Sequence, residues 1–267
     1  MKLRVQNTAF ALTICAVLAL PGAVAADEPV PPDVRVAVKG DAVVNWSRLV
    51  LEVTASARGF GVESSQAVVE QEARRMVGPR MLAGAKAVQV TTDDTVTDLE
   101  SASRFGNALG TRVERWSVTE ARYYASGKVE LVGELSLQDL LKPWTMSGAQ
   151  PPPVSDGEVR YSGIVVDARG SGLAPAFSPR IKSADGDVLY DGTLWLDPAV
   201  NTTPAVYVTD DRHPAMARAG ADAIRFRADA AEGSDAWLTA DDSARFLAEL
   251  KDSPLLGEGK LVFIVGS

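Results

Sequence analysis

The chain has 267 residues, 46% hydrophobic and 23% charged, enough apolar material for one large domain or two small ones and too much for a disordered chain. Its 27 basic residues are outnumbered by 35 acidic ones, a net charge of −8, which argues against nucleic acid or an anionic lipid surface as the main partner. One histidine and one cysteine exclude a His-rich zinc site and an intrachain disulfide framework.

Residues 1–25 read as a secretory signal peptide. Lys2 and Arg4 precede an apolar run from Ala9 to Leu20, Pro21-Gly22 breaks it, and Ala23-Val24-Ala25 supplies the small residues of a cleavage site. The run is well short of the roughly 20 residues that cross a bilayer, so no transmembrane segment is expected after cleavage. Cys15 follows Leu12-Thr13-Ile14 and the apolar run continues past it, so it fills the signal instead of ending a lipobox. Cleavage removes that thiol and lowers the basic count from 27 to 25 against 35 acids. The expected location is the periplasm or another extracytoplasmic part of the envelope.

Residues 26–39, with Glu28-Pro29-Val30-Pro31-Pro32, are expected to form a flexible leader. A first domain over 40–147 reads as α+β: a small sheet with one main, kinked helix. Leu49 to Ala55 alternates, which predicts a strand with Leu49, Leu51 and Val53 on one face. Ser64-Ser65 caps a helix whose apolar positions include Ala67, Val69, Ala73, Met76 and Val77, with arginines toward its end. Gly78-Pro79 should kink or split it, since proline lacks the amide proton and crowds the preceding turn. Val113 to Tyr124 and Val129 to Leu137 are strand-like, and Ser126-Gly127 between them predicts a hairpin.

Gly148-Ala149-Gln150-Pro151-Pro152-Pro153 opens a stiff linker over 148–157, after which 158–267 reads as a second, mixed α/β domain. Its elements are a strand at Ile164-Val165-Val166, a turn at Asp185-Gly186-Asp187, and a short strand at Val188-Leu189-Tyr190. An alternating strand follows over Ala223 to Ala228. A helix opens at Thr239 with Phe246, Leu247 and Leu250 inward. The apolar run Leu261 to Val265 suits a strand covered on both faces.

Asp167-Ala168-Arg169-Gly170-Ser171-Gly172 admits three readings: a phosphate-binding turn, an acid–base pair, or a structural corner. A dinucleotide turn must lead into a helix, and Pro175 and Pro179 deny it one. Asp167 and Arg169 lie on one side of an extended chain with no nucleophile nearby, so an ion pair holding a corner, or a contact between subunits, is favoured. Gly170 and Gly172 supply the positive φ of the turn. His213 in Asp210-Asp211-Arg212-His213-Pro214 reads as part of a polar turn. Asp210 and Asp211 lack a recognised cation-loop spacing, and no Gly-x-Ser-x-Gly elbow serves a triad. Asn201-Thr202-Thr203 matches a glycosylation acceptor by spacing alone. Trp46, Trp116, Trp144, Trp195 and Trp237 read as packing residues. No cofactor or metal site is expected.

Val44-Asn45-Trp46-Ser47-Arg48, with the strand and Ala/Arg-rich helix after it, resembles the LPP20 family of bacterial envelope proteins. Val129 to Leu137 resembles the strand that closes that domain. Tyr161 to Gly170 and Ser178 to Ile181 resemble a second domain found in many such proteins. The resemblance implies a compact sheet crossed by one main helix and a non-enzymatic role; relatives include a flagellar outer-membrane lipoprotein that assembles into discs. The expected function is therefore assembly or scaffolding in the cell envelope, as a homo-oligomer or with an envelope partner, with peripheral outer-membrane association and a link to flagellar motor structures among its forms. Asp167, Arg169, Gly170, Gly172 and Trp46 are the structural or assembly residues. The alternative is a periplasmic small-ligand or glycan-binding module using Trp144 or Trp195. An acid–base hydrolase would need two carboxyls converging from Asp167, Asp210 or Asp211.

Overall fold

The computed structural model describes residues 29–59, 65–101, 108–148, 160–195, 202–251 and 253–266, with the backbone alone at 143–148 and 195. The expected signal segment with Cys15, nearly all of the Pro-rich linker, Asn201, and the side chains of Trp144 and Trp195 lie outside the described residues. The architecture is α+β, built on two sheets.

The first part runs β1 (Arg35–Val38), β2 (Ala42–Asn45), β3 (Val50–Arg58), α1 (Gln66–Lys86), α2 (Val96–Ser101), α3 (Ala108–Val113), β4 (Ser117–Tyr123), β5 (Lys128–Ser136) and α4 (Leu137–Gly148). Its strands form an antiparallel sheet in the order β1-β2-β3-β5-β4. In β3, Leu51, Val53 and Ala55 are buried, while β5 alternates strictly from Val129 to Leu135. Both inner faces meet α1, which buries Val69, Ala73, Val77, Met81, Gly84 and Ala85. That spacing of three and four residues makes one stripe along the helix. Gly84 lies where helix and sheet approach most closely: a Cβ there would sit 2.5 Å from the Cβ of Ala42.

Several expectations need correction. The helix is not split at Gly78-Pro79; α1 runs through Pro79 as a single element of 21 residues. Proline removes only the bond to the Arg75 carbonyl, and Val77 before it and Met81 after it are both fully buried in the same core. Ser65 occupies the N-cap without a side-chain cap bond. Ala67 and Met76 face solvent. Leu49 has φ 58 and is a left-handed turn residue before β3, not an inward strand position. Val113 ends α3 and the hairpin strand begins at Ser117. The fold begins inside the expected leader, since β1 starts at Arg35 and Asp33 bridges to Val208.

The second part runs β6 (Ile164–Asp167), β7 (Arg180–Lys182), β8 (Val188–Asp191), α5 (Gly192–Trp195), β9 (Ala205–Val208), β10 (Ile224–Glu232), β11 (Asp235–Leu238), α6 (Ala240–Leu250) and β12 (Leu261–Ile264). The sheet order is β8-β7-β11-β10-β6-β12-β9. Strands β10, β6, β12 and β9 are mutually parallel; β11 runs antiparallel to β10 and parallel to β7, and β8 runs antiparallel to β7. All four residues of β12 are buried, as a central parallel strand requires. Thr239 caps α6 by accepting from the Asp242 amide at 3.2 Å. Phe246 and Leu250 point inward as expected, but Leu247 is 47% exposed, because it falls one residue off the stripe that packs on the sheet.

The two sheets share one continuous core. A single cluster of buried side chains holds Trp46, Leu51 and Met81 from the first part together with Val166, Tyr207 and Phe263 from the second. Trp46 meets the Tyr207 ring edge-on at 5.7 Å, and Tyr207 stacks on Phe263 at 5.4 Å. No helix among the described residues is long and apolar enough to cross a membrane.

Candidate functional site

Val44 to Arg48 closes the seam between the sheets. Ser47 Oγ accepts from the Val34 amide at 2.9 Å and donates to the Tyr207 carbonyl at 2.7 Å. The Tyr207 amide donates back to the Trp46 carbonyl at 3.3 Å. Asp33 pairs with Val208 beside this contact, and Thr209 Oγ1 donates to the Pro32 carbonyl at 2.8 Å. The segment thus covers the outer edge of β9. Trp46, 2% exposed, belongs to this seam and offers nothing to an external partner.

A second seam lies at the loop after α1. The amides of Phe177 and Ser178 donate to the carbonyls of Gln89 and Val90 at 3.0 and 2.8 Å. Thr92 Oγ1 donates to Asp235 at 2.8 Å. Asp235 is a buried carboxylate held by Lys182 at 2.7 Å and Arg180 at 3.4 Å, so its charge is compensated within the fold.

From the first seam a polar network spreads over the face of the first sheet that α1 leaves open. Asn45 Nδ2 donates to Asp33 at 2.7 Å and to Glu52 at 3.1 Å, and Arg35 joins Glu52. Arg48 forks onto Glu134 at 2.9 and 3.0 Å. His213 Nδ1 accepts from the Ala215 amide at 3.1 Å, which leaves Nε2 as the proton-bearing atom against Asp33 at 3.0 Å. Burial would raise the Asp33 carboxyl, but the bonds from Asn45 and His213 and the nearby Arg35 charge outweigh it and hold it below the usual range.

The corner after β6 is an Asx turn clamped by an arginine. The Arg169 amide donates to Asp167 Oδ1 at 3.1 Å and its Nε to the same oxygen at 2.9 Å. That bonding holds Asp167 ionised, with its pKa lowered. Gly170 has φ 78 and Gly172 φ 83, and open space surrounds both. Hence glycine is required here by backbone conformation and not by crowding. The same device recurs at the end of β9: the Arg212 amide and guanidinium take Asp210 at 2.7 and 2.9 Å. That pairing depresses Asp210 to about 2. Between the two turns Asp211 pairs with Arg225 and lies 3.9 Å from Arg169. The two Asp-x-Arg triplets are one motif used twice, and their identical spacing is the signal of it in the sequence.

Residues 163–267 match the family model of the second domain of Treponema pallidum Tp0624, which places the similarity on the seven-stranded sheet from the start of β6 onward. No curated protein matches the chain.

Proposed function

We propose that this chain is an exported, non-enzymatic protein of the bacterial cell envelope that acts by assembly, with copies of itself or with an envelope partner. The observation that carries the reading is the unfinished first sheet. Its inner face is sealed by α1, while the outer face holds Arg35, Arg48, Glu52, Arg122, Glu130 and Glu134 in ion pairs under no covering element among the described residues. Antiparallel sheets tolerate one solvated face, and a flat, charge-balanced face with free edges suits association more than turnover. The carboxylates offered as catalytic acids support the same reading. Asp167 and Asp210 are each engaged by an arginine that lowers the carboxyl pKa, so neither is poised to exchange a proton near neutral pH, and Asp211 is taken up by Arg225. The LPP20-like segments Val44–Arg48 and Val129–Leu137 point the same way.

A second reading, a small-ligand or glycan-binding module, has one observation in its favour. A groove at the hairpin end of the first sheet is lined by Gln66, Tyr123, Tyr124 and Lys128, with Lys128 Nζ 5.0 Å from the Tyr124 ring centroid.

Fractionation of the host with native mass measurement and envelope cross-linking tests the proposal. Recovery from the periplasm or outer-membrane fraction as an oligomer or a cross-linked complex is expected. A cytosolic monomer without cross-linked partners overturns it. Saturable quenching of tyrosine fluorescence by envelope glycans, lost in Tyr124→Ala, would favour the second reading instead.

A further inference from the structure

The first sheet ends on one side at β4, which among the described residues pairs with β5 and with nothing beyond it. The other sheet ends differ. β1 and β8 are four residues each, and the edge of β9 is covered by the Asp33 bridge. β4 has seven residues, contains neither proline nor lysine, and is exposed at all but one of them. Tyr123 ends it at 49% exposure and Tyr124 follows directly at 43%. Exposed tyrosines beside unpaired backbone are the composition of an interface, not of a protected edge.

The direction of the backbone groups follows from the hairpin. The Tyr124 amide donates to the Lys128 carbonyl at 3.0 Å. Backbone groups alternate along an antiparallel strand, so Arg122 also faces β5 while Ala121 and Tyr123 present their N–H and C=O to solvent. The irregularity between Val118 and Glu120 makes Thr119 the extra residue and ends the regular run there. The outward side chains of that run are Glu120 and Arg122, paired with each other at 2.6 Å and with Arg122 also on Glu130 at 3.1 Å.

We propose that this edge pairs with itself: a second copy of the chain adds antiparallel to β4 about a two-fold axis at Ala121. The inference rests on the assembly reading above and gives it a surface. With Ala121 on the axis, its N–H and C=O exchange bonds with those of its own counterpart, the closely bonded pair of an antiparallel ladder. Glu120 then stands opposite Arg122 of the second copy, and Arg122 opposite its Glu120, both as neighbouring side chains on one face. The sequence Glu-Ala-Arg is thus complementary to itself when reversed. An arbitrary apolar strand would offer these two charges no counterpart across the new ladder, so the edge selects its own copy. The interface is isologous and closed, producing a ten-stranded sheet across the dimer from two sheets of five strands.

Sedimentation velocity over a wide concentration range tests this. Wild-type protein is expected to dimerise with rising concentration. Ala121→Pro removes an amide that faces solvent in the monomer, a position where an edge strand accepts proline, and should leave the protein folded and monomeric. Glu120→Arg and Arg122→Glu should each weaken self-association by at least about tenfold through like charges, and an equimolar mixture of the two should recover it. Association of Ala121→Pro equal to wild type, or no recovery on mixing, overturns the edge assignment while leaving assembly standing. A wild-type chain that is monomeric throughout and captures no envelope partner overturns both.

Discussion

Ser47 offers the sharpest test of how the two sheets are joined. Its hydroxyl accepts from the Val34 amide and donates to the Tyr207 carbonyl, and the residue is 7% exposed. Ser47→Ala deletes one acceptor and one donor with almost no change in volume. The Val34 N–H is left buried without its partner, and the Tyr207 carbonyl loses the Ser47 hydroxyl donor. Leaving a buried polar group unsatisfied costs about 1–3 kcal/mol; with two groups each losing the Ser47 hydroxyl, near the low end of that range apiece, about 2–3 kcal/mol is expected. For a chain of this size, each kcal/mol moves the melting midpoint by roughly 2–4 °C, so the midpoint should fall by roughly 5–10 °C. Because the bond crosses from one sheet to the other through a common core, calorimetry should show one transition in the wild type and one, shifted, in the variant. Two separate wild-type transitions, neither moved by Ser47→Ala, would refute the reasoning, since the sheets would then melt as independent bodies.

Gly84→Ala should destabilise by about 1–3 kcal/mol through overpacking against Ala42, although alanine is the better helix former by about 1 kcal/mol; urea unfolding decides the sign, and a stabilised variant contradicts the close approach. Pro79→Ala should raise stability by up to about 3 kcal/mol, because α1 is continuous and the new amide can reach the Arg75 carbonyl; no gain in the urea midpoint counts against an unbroken helix. Asp33 has its folded pKa lowered, so it stabilises above its ordinary value near about pH 4, and that contribution is lost as pH falls through the lower folded value. Acid titration of stability should therefore be shallower below about pH 4 in Asp33→Asn, and an unchanged profile removes Asp33 from the seam's energetics.

The parts of this fold visible in the sequence are those whose cause is local. Leu261 to Ile264 announces a doubly covered strand by being apolar at every position, Thr239 announces α6 by its cap, and Gly127 announces the β4–β5 turn. Strands β7, β9 and β11 are three or four residues long, too short for a period to stand out. Pro79 announces a kink or a split through its local penalty alone; that no split occurs is decided by the burial of Val77 and Met81 on either side, which the penalty does not register. Ser47 and Thr92 could not be found at all: their partners are 160 and 143 residues away. The corner at Asp167 is legible as a turn, and its spacing matches that of Asp210, but that the two turns lie side by side follows only from β6 and β9 flanking β12.

That position of β12 has a consequence for the order of events when the protein forms. It follows every other described strand, yet it sits between β6 and β9 and is hydrogen-bonded to both. Until Leu261 to Ile264 arrive, β9 has no strand to pair with on its inner side, and β6 holds only β10. The hairpin and helix of the first part depend on near neighbours and are free to organise early. The larger sheet must wait for its keystone, so during synthesis the seven-stranded sheet stays open until Leu261 to Ile264 have emerged.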